Sequence, residues 1–213
     1  ARYPHRVKST SASDDAVEVY RKVLSGMPDG SVTIVTVGFF TNLKNLLLSK
    51  PDQISPLTGK ELIKAKVKLL VSMAGKFPEG KEFNVEVDTK SSQQVFREWP
   101  TPILLSGFEI GEQILTGKKL AASGQTGSPV IDTFTMCLPQ DDPNGRNSWD
   151  ETAVLVAVRG ASNYFDTEQG TMTVLDDGSN QWEKSINGMH ARLLFKMPKD
   201  QLTEIIENMM MHK

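Results

Sequence analysis

The sequence predicts an α/β fold in which helices cover both faces of an open, mostly parallel sheet. Three stretches rich in β-branched and aliphatic residues, Val32–Val37, Val67–Met73 and Ile103–Ser106, have the length and composition of buried parallel strands. Helical patterns separate these stretches, and this alternation is typical of βαβ units. The chain has 213 residues, of which 38% are hydrophobic and 23% charged. We therefore expect a single α/β domain over residues 1–213.

Helix signals fill the segments between these strands. One helix is predicted over Asp14–Ser25, and another runs from Thr41 to the helix-breaking Pro51. Thr58 and Glu61 have the spacing of a capping box, in which each side chain bonds the main chain of the other residue. That spacing predicts a third helix directly before the second strand.

A further helix is predicted over Asp88–Trp99, before the third strand. The chain is less regular after that strand, where Glu109–Leu115, Gly127–Leu138 and Trp149–Arg159 have helical patterns. Ala161–Ile186 has the turns and short strand-like runs of an antiparallel excursion. A strand at His190–Lys196 and a helix at Lys199–Met210 complete the predicted order.

Composition restricts the function classes. The net charge of −2 gives no electrostatic reason to expect nucleic acid or an anionic membrane as a partner. No apolar run approaches the ~20 residues of a membrane span, and the compartment, cytoplasmic or periplasmic, stays open. The single cysteine, Cys137, excludes an internal disulfide and any cysteine-based zinc site. Because Met136 and Leu138 flank it, Cys137 is predicted to be buried.

Four short motifs lie where predicted strands end or helices begin. They are GFFTN at Gly38–Asn42, MAG at Met73–Gly75, EFN at Glu82–Asn84 and SWDE at Ser148–Glu151. In an α/β sheet, the loops that follow separate parallel strands meet in one crevice. The sequence therefore predicts that these motifs line a single site.

Each motif also has an interpretation without function. Ser148 and Glu151 have capping-box spacing, so Asp150 could simply favour the N-terminus of a helix. The alternation of polar and apolar residues in Glu82–Asn84 is typical of a half-buried strand. Met73 is by default a core methionine.

Taken in this order, the four motifs resemble those of the inosine-uridine-type nucleoside hydrolases. That family has a GPLTN turn, a Met-Gly-Gly strand end, an EFN segment and a late His-Asp before a helix. The similarity covers most of Ser31–Ala157 and continues more weakly to the C-terminal helix. It implies calcium-dependent hydrolysis of the N-glycosidic bond of ribonucleosides to base and ribose, by a metal-bound water.

The resemblance also implies roles for particular residues. Thr41, through its main-chain carbonyl, and Asp150, through its carboxylate, would bind calcium, which takes oxygen ligands. Glu82 and Asn84 would hold the ribose hydroxyls, and Met73 would pack near the sugar.

The sequence departs from the family at its beginning. The family opens with a strand that ends in an aspartate cluster, DxDxxxDD, which supplies most metal ligands and the general base. This sequence has no such cluster. Its nearest candidates, Asp14 and Asp15, are interpreted as helix-start residues. We therefore expect this chain to be the C-terminal portion of a longer domain, with its catalytic base on a missing N-terminal segment or companion chain. Alone, it should bind calcium poorly and be inactive; the resemblance further implies a homo-oligomer.

A second departure is Trp149, which stands where many family members have histidine. Indole cannot donate a proton as imidazolium does, so general-acid catalysis at this position is lost. Trp149 is predicted instead to stack on the base of a nucleoside or related riboside. Two alternatives stay open: a non-catalytic nucleoside-binding, sugar-binding or structural member of the fold, and a hydrolase of another glycoside.

Overall fold

The computed structural model describes residues 3–211, so the predicted domain extends two residues beyond this range at each end. Nine strands occur in this range. In chain order, β1 to β9 are Val32–Thr36, Val67–Met73, Glu79–Lys81, Ile103–Ser106, Leu115–Thr116, Arg146–Asn147, Phe165–Val174, Ser179–Lys184 and His190–Phe195. The bounds of the second and fourth agree with the predicted strands.

Ten α-helices lie before, between and after the strands of the described range. In chain order, α1 to α10 are Ala16–Ser25, Thr41–Leu48, Gly59–Lys66, Phe83–Glu86, Thr89–Glu98, Phe108–Gly111, Lys118–Ala122, Pro129–Asp141, Trp149–Arg159 and Lys199–Met210. Within residues 3–211 no helix is both long and apolar enough to cross a membrane.

Seven of the strands form one sheet in the order β1-β2-β4-β9-β7-β8-β3, and β5 and β6 form a separate ribbon. The first four strands of this order are parallel to one another. The remaining three are added antiparallel. Two of them, β7 and β8, lie within Ala161–Ile186, where antiparallel strands were predicted. The predicted α/β class with a mostly parallel sheet is therefore confirmed.

Helices cover both faces of this sheet, and the central strands β2 and β4 have buried side chains on both sides. On one face, α1, α2, α3 and α5 pack side chains such as Leu46 and Phe96 against Leu70 of β2. On the other face, α9 and α10 pack residues such as Ile206 against Val71 of the same strand. Neighbouring residues of one strand thus belong to different cores, which places the carboxyl end of the strand between two helical layers.

Local helix signals are confirmed at two positions. Asp15 accepts hydrogen bonds from the main-chain N–H groups of Val17 and Glu18 at 2.9 and 3.1 Å, so it caps α1 as predicted. Both bonds of the Thr58–Glu61 capping box are present before α3.

Three local predictions are wrong. The EFN segment is not a strand but begins a short helix, because the Glu82 carboxylate accepts a bond from the N–H of Asn84 and caps it. The predicted capping box at Ser148 is absent, since its hydroxyl pairs with that of Thr116 at 2.7 Å. Cys137 is exposed on α8, because this helix turns its apolar side chains Ile131 and Leu138 inward instead.

Candidate active site

Three of the four motifs, GFFTN, MAG and EFN, meet at the carboxyl ends of the parallel strands. The GFFTN turn follows β1, and MAG continues directly from β2, its neighbour in the sheet. An aromatic contact joins the first motif to EFN: the rings of Phe39 and Phe83 meet edge to face with centroids 5.5 Å apart. Both rings are exposed, so this pair forms part of the rim of the crevice.

Glu82 is the most constrained carboxylate of the crevice. Its side chain is buried, with 4% of the residue exposed. Oε1 accepts a hydrogen bond from the N–H of Asn84 at 2.9 Å, and Oε2 accepts one from the N–H of Gly75 at 3.2 Å. EFN and MAG are therefore joined by one carboxylate that receives a main-chain donor from each.

The charge of a second acid, Asp150, acts on Glu82. Burial raises the pKa of the Glu82 carboxyl, and the charge of Asp150 raises it further, while the N–H donors of Asn84 and Gly75 oppose this. Asp150 lies in the first turn of α9; partial desolvation raises the pKa of its carboxyl against the attraction of Arg146. Two acids with raised pKa values in one crevice are typical of functional sites.

Asn84 lies beside Glu82 and is also buried. Its Nδ2 donates to the main-chain oxygen of Met73 at 3.1 Å and lies 3.2 Å from the sulfur of the same residue. Met73 is 3% exposed, so it is a core methionine as well as a neighbour of Asn84. The structure thus brings together the three residues that the resemblance assigns to the sugar.

Thr41 lies at the start of α2. Its hydroxyl donates a hydrogen bond to the carboxylate of Asp88, which also accepts from the hydroxyl of Ser91 at 2.5 Å. Desolvation opposes ionisation of Asp88, but the bonds from Ser91 and Thr41 outweigh it and lower the pKa of this carboxyl. The hydroxyl proton of Thr41 is therefore used in the bond to Asp88.

Trp149 is held by a structural contact. Its Nε1 donates to the main-chain oxygen of Phe108 at 2.9 Å, and the two rings lie 5.3 Å apart. Gly111 allows this approach, because a Cβ there would lie 2.3 Å from the Cα of Trp149. The guanidinium of Arg146 lies 5.9 Å from the indole ring. Trp149 is half-buried, and its predicted stacking on a base stays a prediction.

The resemblance assigns two of the described residues, Thr41 and Asp150, to a calcium ion. Within residues 3–211, no group of three or more histidine, cysteine, aspartate or glutamate side chains is placed to hold a metal ion. Thr41 and Asp150 offer oxygen donors, which is the chemistry calcium prefers, but calcium takes six to eight of them. The residues described here therefore do not make a calcium site alone.

Two residues of this region were not singled out from the sequence as site residues. Asp88 was recognised only as a helix start, although it also bonds Thr41. Asn180, on β8, bonds the main chain of Lys76 in the loop between MAG and EFN. No local pattern signals such a contact, because the two residues are 104 positions apart in the sequence.

Solved structures of nucleoside hydrolases share this fold. A plant nucleoside hydrolase superposes with a TM-score of 0.70 at 18% identity, covering 97% of this chain and 70% of that chain. A purine-preferring ribonucleoside hydrolase from Gardnerella vaginalis gives 0.70 at 18% identity, covering 92% and 65% respectively. An inosine-uridine preferring nucleoside hydrolase from Bacillus anthracis gives 0.63 at 16% identity, also covering 92% and 65%.

The chain thus spans only 65–70% of the length of these structures. No curated protein matches it in sequence. The sequence profile of the inosine-uridine preferring nucleoside hydrolases, in contrast, matches residues 2–203. Because this match covers nearly the whole chain, the chain belongs to the inosine-uridine preferring nucleoside hydrolase family.

Proposed function

We propose that this chain carries the ribose-binding part of a nucleoside N-ribohydrolase, which hydrolyses the N-glycosidic bond of ribonucleosides to base and ribose. The observation that carries the proposal is the arrangement of Glu82 and Asn84 beside Met73 at the end of β2. The solved nucleoside hydrolases that share the fold support the same reaction class.

The unused hydrogen-bond acceptors of Glu82 and Asn84 match the two hydroxyl groups of a sugar diol. An ionised carboxylate has about four lone-pair positions, and main-chain N–H groups occupy one on each oxygen of Glu82. Asn84 uses its Nδ2 on Met73, and within residues 3–211 its Oδ1 accepts no hydrogen bond. Both side chains therefore offer acceptors to donors from outside, and ribose hydroxyls are such donors.

The same carboxylate suits the transition state of glycosidic-bond cleavage. Positive charge develops on the ribosyl ring, and a pre-positioned carboxylate stabilises it in a site that excludes water. Glu82 is buried and held from two sides, so it needs little reorganisation for this task. Trp149 offers no acidic proton to the leaving base. Protonation of the base is accordingly assigned to no residue of this chain.

In this proposal, the calcium site is shared between this chain and a further segment of the fold or a companion chain. The carbonyl of Thr41 and the carboxylate of Asp150 supply at most three of the six to eight oxygen donors that calcium takes. We assign the remaining donors, and the catalytic base, to carboxylates on a further segment of the fold or on a companion chain. The homo-oligomer implied by the resemblance stays a prediction.

The free edge of β1 is the place where such a segment fits. In the described range, β1 pairs only with β2, and its sequence Val32–Thr36 has neither charge nor proline. The opposite edge strand, β3, is protected by its shortness, by Pro78 before it and by the charges of Glu79 and Lys81. Edge strands without such protection are templates for pairing with another strand.

The position of α1 also indicates that an additional strand would pair with the free edge of β1. Crossovers between parallel strands are almost always right-handed. The helices between β1 and β2 and between β2 and β4 lie on one face, and α1 packs on that face through Val17 and Leu24. A parallel strand that leads through α1 into β1 with the same hand must lie beyond the free edge of β1. Its carboxyl end would then reach the crevice beside Thr41.

Ribose release tests the proposal. We expect the purified 213-residue chain with calcium chloride to release no ribose from inosine or uridine. The same chain, joined at its N-terminus to a segment that supplies the additional strand and its carboxylates, should release ribose. In that active form, Glu82→Gln should abolish release, whereas Glu86→Gln, an exposed residue one helical turn away, should not. Ribose release by the isolated chain would refute the shared site, and an active Glu82→Gln would refute the role of Glu82.

A second candidate is hydrolysis of another riboside, and Trp149 favours it because this residue cannot protonate a purine or pyrimidine. A p-nitrophenyl riboside has a leaving group that departs without protonation. If the completed enzyme cleaves this compound but no nucleoside, the alternative replaces the proposal. If it binds ribose but cleaves neither, the chain belongs to a non-catalytic binding protein.

A further inference from the structure

The loop between MAG and EFN is held at successive main-chain groups by partners from outside the loop. Gly75 donates to Glu82 and accepts from the N–H of Phe108 at 2.8 Å. The N–H of Phe77 donates to the carboxylate of Glu109 at 3.2 Å. Such a loop has little conformational freedom, because its polar main-chain groups are satisfied by fixed neighbours.

Asn180 is attached to the loop by two hydrogen bonds. Its Oδ1 accepts from the N–H of Lys76 at 2.9 Å, and its Nδ2 donates to the carbonyl of the same residue at 2.9 Å. Asn180 is fully buried and is the second residue of β8, the strand between β7 and β3. An amide is the side chain that offers one donor and one acceptor at this spacing, so it completes a main-chain pair as a strand would.

This attachment lies one residue from the donor that orients Glu82. Lys76 follows Gly75, whose φ of +82° places it in the left-handed region. If Lys76 shifts, the N–H of Gly75 shifts with it, and Oε2 of Glu82 loses its partner at 3.2 Å. Through Lys76 and Gly75, Asn180 is thus connected to Glu82, although it is 98 positions distant in the sequence and belongs to another part of the sheet.

We propose that Asn180 is a positioning residue for the candidate ribose site. By bonding both the N–H and the carbonyl of Lys76, it sets the direction of the Gly75 N–H and thereby the orientation of the Glu82 carboxylate. The inference rests on the proposed function for its meaning in catalysis. Its geometric content, the dependence of Glu82 on Asn180, is measurable without any activity.

Two variants of the full chain test the dependence. Asn180→Asp keeps the shape and the acceptor for Lys76 but loses the donor, and Asn180→Ala loses both. Nuclear magnetic resonance reports the amide shift of Gly75 and the titration of Glu82. We expect the Gly75 amide to move upfield in both variants, as its hydrogen bond weakens. The pKa of Glu82 should rise further, because its ionised form loses a donor.

Two controls separate positioning from general loss of stability. Asn187→Asp changes an exposed asparagine beyond the end of β8, and Gly59→Ala destabilises the fold far from the loop. Neither should move the Gly75 amide or the titration of Glu82. Unchanged Gly75 and Glu82 signals in folded Asn180→Asp would overturn the inference, as would equal shifts in Gly59→Ala.

A ribose titration separates this inference from the proposed function. Ribose should perturb the amides of Glu82 and Asn84 in the wild-type chain, with about tenfold weaker affinity in Asn180→Asp, the loss expected for one hydrogen bond. If ribose perturbs neither amide in any variant while Gly75 still moves, the proposed function fails and the positioning role stands. If ribose binds equally well to wild type and Asn180→Asp, the positioning role fails.

Discussion

The side-chain amide of Asn84 donates a hydrogen bond to the main-chain oxygen of Met73 at 3.1 Å, which ties the EFN helix to the last residue of β2. The bond uses the carbonyl at the end of a central strand, where a parallel sheet has no further strand residue to satisfy it. Asn84 is thereby fixed against a rigid element, and a site built on rigid elements holds its geometry.

Close approach of α3 to α2 makes Gly59 intolerant of a side chain. A Cβ at this position would lie 1.6 Å from the main-chain oxygen of Leu46, and a buried main-chain atom cannot move aside. We expect Gly59→Ala to destabilise the fold by at least about 1–3 kcal/mol, the usual cost of overpacking. Urea unfolding measures it. Gly38→Ala is the matched control, because no atom lies within 4 Å of its added Cβ. Equal stability of the two variants would contradict this packing.

The buried Arg21 makes the fold sensitive to acid. Asp52 bonds its guanidinium at 2.7 and 2.9 Å, and this partner lowers the pKa of the Asp52 carboxyl to about 2. The unfolded value is about 3.9, so the pair contributes stability above pH ~4 that is lost as the pH falls towards 2. Asp52→Asn should therefore be less stable than wild type at pH 7, and the difference should shrink on acidification.

Urea midpoints measured from pH 7 to pH 2 test this linkage. The control is Asp176→Asn, which removes an exposed partner of Lys90 and should leave the midpoint unchanged. A wild-type advantage over Asp52→Asn that persists unchanged at pH 2 would show that the Arg21–Asp52 pair is not its source.

Glu82 has the opposite pH dependence. Burial raises the pKa of its carboxyl in the folded state above the unfolded value of about 4.3. As the pH rises past 4.3, the unfolded chain releases its proton first, so this group lowers stability until the folded carboxyl has also ionised. Glu82→Gln lacks this titration. The stability of wild type relative to Glu82→Gln should thus decrease between pH 4 and pH 7, and an increase over this window would contradict the raised pKa.

The thiol of Cys137 should react without unfolding. Cys137 is exposed on α8, so a thiol reagent such as 5,5′-dithiobis(2-nitrobenzoic acid) should label one group per native chain. Replacement by serine should change the free energy of unfolding by less than about 0.5 kcal/mol, as for other surface substitutions. Labelling that begins only in denaturant would indicate that the thiol is covered, for example by another subunit.

Much of the fold could be predicted from the sequence because the patterns that indicate strands, helices and caps lie within short stretches of the chain. The apolar run Val67–Met73 is a strand with the predicted bounds, and Lys199–Met210 is a helix with the predicted bounds. Thr58 and Glu61 form their capping box with partners three residues apart. Interactions of this range depend little on the rest of the molecule. The order of the motifs was likewise sufficient to indicate the family, which the profile match confirms.

Only the tertiary structure decided which polar groups meet. The hydroxyl of Ser148 has the spacing to cap α9, yet it bonds Thr116, because a buried hydroxyl takes the partner that the folded chain brings nearest. Asn180 reaches Lys76 across 104 residues, and Thr41 reaches Asp88 across 47. Contacts of this kind depend on strand order and crossover hand, which no short stretch of sequence encodes. The sequence by itself thus determined the elements and the family, whereas the tertiary structure decided how the candidate site is held.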